Sequence, residues 1–191
     1  MIVLNTFELV VLLVALAMGL FPAAVAGSME SCLSRTGMLK VAFVFAVFKT
    51  AFLAMGFFLG RFFNSMVPEA AFWVVVAIFL VLGLKMIFES VRADFLRRSY
   101  ILDKTNILLL LAVAVNLDGL IAGLAFGFTT AEFVLLLILA FGLVFLISLA
   151  GLFYGRNAAK LMKATRAGLT GGLILTAYSL FLFLQRSGGF V

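Results

Sequence analysis

Residues 105–128 read TNILLLLAVAVNLDGLIAGLAFGF. At 1.5 Å per residue a helix over this run is about 36 Å long, enough to cross roughly 30 Å of hydrocarbon. Its one charge, Asp118, stands near the middle. A carboxylate at that depth costs about 3 kcal/mol on insertion scales and is seldom kept without a purpose. Five similar runs occupy 7–28, 38–60, 69–88, 131–153 and 168–185, and among them only 38–60 holds an interior charge, Lys49. The remaining charged residues fall near the ends of the runs or between them. The chain is 66% hydrophobic and 12% charged, against about 25% charged in soluble domains. The expected fold is an all-α integral membrane protein of six transmembrane helices, with no room left in the 191 residues for a soluble catalytic or nucleotide-binding domain.

Composition narrows the chemistry. Histidine is absent and cysteine occurs once, at Cys32, so a His-ligated metal, a His proton shuttle and an internal disulfide are excluded. No nucleophile–base pair or ligand set is visible, and an enzyme is not expected. The net charge of +6 sits beside the spans, where topology explains it better than nucleic acid does. The first run follows Glu8 and lacks a basic leader, so it reads as a retained span. Arg35, Lys40, Lys85, Arg92, Arg97, Arg98, Lys104, Arg156, Lys160, Lys163 and Arg166 belong to the 1–2, 3–4 and 5–6 connections; the opposite side holds Arg61 and Arg186. The basic side is expected to be cytoplasmic, with both termini outside and a multi-pass location in a bacterial-type inner membrane. The short connection near Thr129–Glu132 predicts an antiparallel hairpin of spans 4 and 5.

The halves resemble each other. Ala15–Gly27 (ALAMGLFPAAVAG) aligns with Val113–Gly123 (VAVNLDGLIAG) when Gly27 is set on Gly123, which places Pro22 opposite Asp118. Gly56–Arg61 (GFFLGR) likewise aligns with Gly151–Arg156 (GLFYGR), which places Lys49 opposite Val144. The reading is two three-helix repeats, 1–95 and 96–191, in one membrane domain. Because three is odd, the second repeat enters the bilayer inverted, an arrangement that puts transporter sites near the midplane between repeats.

Lys49 lies about eleven residues into its span and Asp118 about thirteen into its own, roughly 16 and 20 Å from the same surface. The depths allow an ion pair, which can stay ionised or exchange a proton as a coupled site. Asn116 and Thr50 flank it as further polar groups of an ion or proton site. Pro22 should disturb the first span at similar depth. Gly27, Gly119 and Gly123 should let helices approach closely around the site. Ser148, Thr176, Tyr178 and Ser179 read as interhelical hydrogen-bonding groups.

On these residues the chain resembles MntP, the manganese efflux pump family. Asn116–Gly127 (NLDGLIAGLAFG) is similar to its S-L-D-A-x-A-V-G segment, and Trp73–Arg92 carries its G-[RK]-M-I-x-E core at Gly83, Lys85, Met86, Ile87 and Glu89. Gly155-Arg156 and Gly171-Gly172 match glycines of its last two spans. The resemblance implies a secondary transporter moving a divalent cation, with Asp118 as a metal-binding carboxylate and no resident cofactor. It also marks two departures: an aspartate of span 1 is replaced by Pro22, and an acid of span 2 by Lys49. The expected cargo is therefore a manganese-like cation or a changed substrate. The alternative is a non-transporting subunit, anchor or sensor in which Lys49–Asp118 is a structural salt bridge, with a membrane partner or a second copy beside it and lipid around it.

Overall fold

A computed structural model describes residues 5–30, 35–66, 71–92, 105–129, 132–155 and 161–187. They form α1 (Thr6–Met18), α2 (Phe21–Glu30), α3 (Arg35–Met66), α4 (Ala71–Arg92), α5 (Thr105–Gly127), α6 (Phe133–Gly155) and α7 (Leu161–Ser187). Six helical stretches are long and apolar enough to cross a membrane, at Thr6–Ala26, Arg35–Met66, Ala71–Val91, Leu108–Gly127, Phe133–Gly155 and Arg166–Gln185. Cys32, Arg97, Arg98, Lys104, Arg156 and Lys160 lie outside the described residues.

Local chemistry sets the ends. The Asn5 backbone N–H donates to Glu8 Oε2 at 3.2 Å, which satisfies one free donor at the start of α1. The first span breaks at Gly19–Leu20, and α2 resumes with Pro22 in its first turn. There the missing proline N–H is tolerated best. At its far end α5 closes through bonds from Phe128 N to Ala125 O and from Thr129 N to Phe126 O, both 3.1 Å. α3 runs on through Arg61 to Met66, six residues past the apolar run.

Packing pairs the spans specifically. α3 lies along α5 and α6, α4 along α7, α2 along α6, and α1 along α6 and α7. The short turn after α5 does not make α5 and α6 a packed hairpin; α3 packs on both instead. The reason is surface shape. Gly119, Gly123 and Gly127 line one face of α5 at four-residue spacing, and the Lys49, Leu53 and Phe57 carbonyls of α3 lie against them in that order. Gly56 and Gly60 of α3 in turn sit on Leu120 and Leu124 of α5. The outward surface is apolar, with Phe62, Trp73, Leu110, Val134, Leu146 and Leu184 all exposed, as a lipid-facing surface requires.

The interior holds two apolar clusters. One contains Leu9, Leu13, Leu53, Phe79, Ala122, Phe126, Leu136 and Ala140. The other contains Ala17, Leu20, Met38, Phe45, Ala46, Ala112, Val144 and Leu152. On α3 the change from one to the other falls between Ala46 and Leu53; on α5 it falls between Ala112 and Ala122.

Candidate functional site

Lys49 and Asp118 occupy that change. Lys49 lies between Ala46 and Leu53 on α3, and Asp118 between Ala112 and Ala122 on α5. The Lys49 Nζ donates to Asp118 Oδ1 at 2.5 Å. Lys49 is 0% exposed, and the Asp118 side chain retains 9%. The pair is thus a polar layer between two apolar plugs, sealed on the lysine side and slightly open on the carboxylate side.

Gly119 makes the contact sterically feasible. A methyl group at Gly119 would stand 3.1 Å from Lys49 Cδ and 3.2 Å from the Lys49 carbonyl, so the lysine stem crosses the glycine to reach Asp118, the residue before it. Gly123 repeats the close approach one turn on, against the Leu53 backbone. The next charges in electrostatic reach of Lys49 are Lys85 and Glu89 of α4, themselves an exposed i,i+4 pair at 3.4 Å.

Two neighbours carry unspent hydrogen-bonding capacity. Asn116, 0% exposed, donates Nδ2 to the Ala112 carbonyl at 2.7 Å, while its Oδ1 has no partner among the described residues. Thr50 Oγ1, adjacent to Lys49, is likewise buried and unpartnered, and so is Ser148 Oγ on α6. Each such group costs about 1–3 kcal/mol if nothing meets it, so three in one bundle call for a reason. The other polar groups are spent: Ser179 Oγ on the Val76 carbonyl at 2.9 Å, Thr176 Oγ1 on Gly172 O at 3.0 Å, and Tyr178 OH on Glu8 Oε2 at 3.4 Å. The Glu8–Tyr178 contact joins the first and last spans, a pairing that hydropathy does not reveal.

The sequence-expected residues divide accordingly. Lys49, Asp118 and Gly119 meet directly, and Gly123 supports the same seam. Asn116 and Thr50 belong to the same stretches of α5 and α3. Pro22 lies on another interface, where its ring faces Gly168 of α7. Gly27 falls in α2, with its packing outside the described part. Among the described residues, no three His, Cys, Asp or Glu side chains gather as a metal site, and the partner of Asp118 is an ammonium.

Residues 32–183, which contain this pair, match the family model described as "Putative manganese efflux pump". The chain belongs to this family. Three relatives bear the same name: one from Bacteroides thetaiotaomicron is 28% identical over 186 residues, covering 93% of this chain and 95% of its own. One from Campylobacter hominis is 34% identical over 137 residues, covering 71% and 73%. A third, named MntP 2, from Clostridium botulinum, is 23% identical over 195 residues and covers 96% of each. No solved structure matches. Family membership and six spans make the chain a multi-pass membrane protein in contact with the bilayer.

Proposed function

We propose that the chain is a secondary transporter, not an enzyme, in which Asp118 carries the transported cation or a coupled proton and Lys49 is the resident cation it must leave. The observation that carries this reading is the position of the 2.5 Å pair between the two apolar clusters. Opening either cluster alone would expose the pair to one side only, which is the geometry alternating access needs. A transported metal is cargo here, not a cofactor.

Cargo choice follows from charge. A divalent ion 4 Å from the Lys49 ammonium, at an effective dielectric of about 20, is repelled by about 8 kcal/mol. Manganese, the cargo in the relatives' names, favours several oxygen ligands including carboxylates. It would have to displace Lys49 from Asp118 first. Protonation of Asp118 would release the lysine equally well and so couple transport to a proton gradient.

The packing map supports two inverted three-helix units, 1–95 and 96–191. Exchange of spans 1, 2 and 3 with 4, 5 and 6 turns the α3–α5 contact into the contact of the first span with α6, and leaves α3–α6 and α4–α7 unchanged. The glycines obey the same exchange, since Gly56 on Leu120 corresponds to Gly151 on Ala24. The excess of Lys and Arg in the 1–2, 3–4 and 5–6 connections supports termini on the outside.

The complete burial of Lys49, with its stem against Gly119, favours a second reading: a static bridge that pins α3 to α5 in a non-transporting subunit. Flux in proteoliposomes separates the two. Manganese and monovalent cations are offered to wild type and Asp118→Asn. Transport lost in Asp118→Asn supports the first reading; the absence of flux in a folded wild type supports the second.

A further inference from the structure

Lys49 needs a second acceptor whenever its place beside Asp118 is taken. An ammonium has three N–H donors and accepts nothing. Among the described residues Lys49 spends one of them, on Asp118 Oδ1. Its side chain is 0% exposed, so bulk water does not take over. A buried charge that loses its partner and finds no other oxygen is strongly destabilising.

Asn116 supplies an oxygen on the same helix face. It is 0% exposed. Its Nδ2 donates to the Ala112 carbonyl one turn back at 2.7 Å. That bond fixes the amide, since only its NH2 side can donate, and turns Oδ1 away from the carbonyl. Oδ1 has no partner among the described residues. Asn116 stands three residues before Gly119, and residues so spaced are neighbours, about 5–6 Å apart at Cβ. Around α5, Asp118 lies about 100° from Gly119 on one side and Asn116 about 60° on the other. The Lys49 stem runs over Gly119 itself. The Cβ that the glycine lacks would be 3.1 Å from Lys49 Cδ and 3.6 Å from Cε. The ammonium, one bond beyond Cε, therefore sits over bare backbone, with the carboxylate to one side and the amide to the other. α3 and α5 keep one register here, the Lys49, Leu53 and Phe57 carbonyls lying against Gly119, Gly123 and Gly127. Both helices continue unbroken toward Asn116. One turn back, the register sets Asn116 level with Ala46, whose side chain is a single methyl.

We propose that Asn116 is a positioning residue for Lys49: when cargo occupies Asp118, the ammonium pivots over Gly119 and donates to Asn116 Oδ1. The move exchanges a hydrogen bond to a carboxylate for one to an amide and keeps the charge inside the bundle. It accounts for an acceptor that stands buried and unused in the paired state. The swing rests on the transporter reading above, because Lys49 must leave Asp118; the capacity of Asn116 to accept Lys49 does not, and it is measured apart from flux.

Unfolding in mixed micelles compares Asn116→Val with Asn116→Thr, two side chains of one shape of which only threonine carries an acceptor oxygen. Each is made in wild type, in Asp118→Leu and in Lys49→Met/Asp118→Leu. In Asp118→Leu the threonine–valine gap in the folded-to-unfolded ratio should be at least about tenfold wider than in wild type, the worth of one hydrogen bond to a charged group. In Lys49→Met/Asp118→Leu the gap should return to its wild-type size. An equal gap in wild type and Asp118→Leu would overturn the proposal, and so would a wide gap that persists without the lysine. Flux is the second readout, and it decides where Asp118→Leu does not fold. For whichever ion wild type moves, Asn116→Val should raise KM at least about tenfold at little-changed kcat, because the loaded state loses its acceptor, and Asn116→Thr should recover most of the loss. A fall in kcat with KM unchanged would make Asn116 merely structural and overturn the proposal. A wild type that moves no ion ends the transporter reading, while the unfolding gap still decides whether Asn116 receives Lys49.

Discussion

Asp118→Asn removes the counter-charge of a lysine that is 0% exposed. With charge centres about 4 Å apart and an effective dielectric of about 20, the lost attraction is about 4 kcal/mol. Truncating one partner of a buried pair typically costs about 3–5 kcal/mol, whereas replacing both by apolar residues of similar volume is often neutral or stabilising. A double-mutant cycle exploits that asymmetry. Wild type, Asp118→Asn, Asp118→Leu, Lys49→Met and the double variant Lys49→Met/Asp118→Leu are unfolded reversibly in mixed detergent micelles. Each single substitution is expected to lose about 3–5 kcal/mol and the double variant no more than about 1–2 kcal/mol. The double variant is also expected to be inert in flux assays, which separates stability from transport. Single losses below about 1 kcal/mol that simply add would refute a direct, desolvated ion pair.

Three further outcomes follow from the packing. Gly123→Ala sets a methyl against the Leu53 backbone and should cost about 2 kcal/mol or more in the same unfolding assay, as overpacking does; Gly142→Ala, which meets nothing within 4 Å, should be neutral or stabilising by up to about 1 kcal/mol. Ser179→Ala removes the 2.9 Å bond from α7 to the Val76 carbonyl and should cost about 0.6–1.7 kcal/mol, the range for interhelical bonds in membranes. Single cysteines placed in a Cys32→Ser background at Arg97 and at Glu132 should label with impermeant thiol reagents from opposite faces, Glu132 from outside; labelling of Arg97 from outside would reverse the orientation.

Much of the architecture was legible because hydropathy and charge are local properties. The six runs each mark a helical span, although α3 (Arg35–Met66) and α7 (Leu161–Ser187) extend well past theirs, and Lys49 and Asp118 stand out because nothing else charged lies so deep. The spacing of Gly119, Gly123 and Gly127 announced a close approach but not its partner. That α3 rather than α6 fills the groove depends on the matching glycines at Gly56 and Gly60, a complementarity between surfaces far apart in sequence. The hairpin expected from the turn near Thr129 fails for the same reason: a short connection fixes direction, not lengthwise packing. Pro22 did signal a disturbance, yet the break falls at Gly19–Leu20, because a proline is best placed in the first turn of a new helix. Ser148 looked like an ordinary interhelical donor, since polarity alone does not tell a satisfied hydroxyl from an orphan.

The central claim, that Lys49 stands where a transported cation would bind beside Asp118, is tested most directly by manganese efflux from proteoliposomes of wild type and Lys49→Glu. Removing the ammonium and adding a second carboxylate should turn a repulsion of about 8 kcal/mol into attraction, so Lys49→Glu is predicted to move manganese much faster than wild type. Wild type that already exports manganese at the rate of the folded Lys49→Glu protein would contradict it.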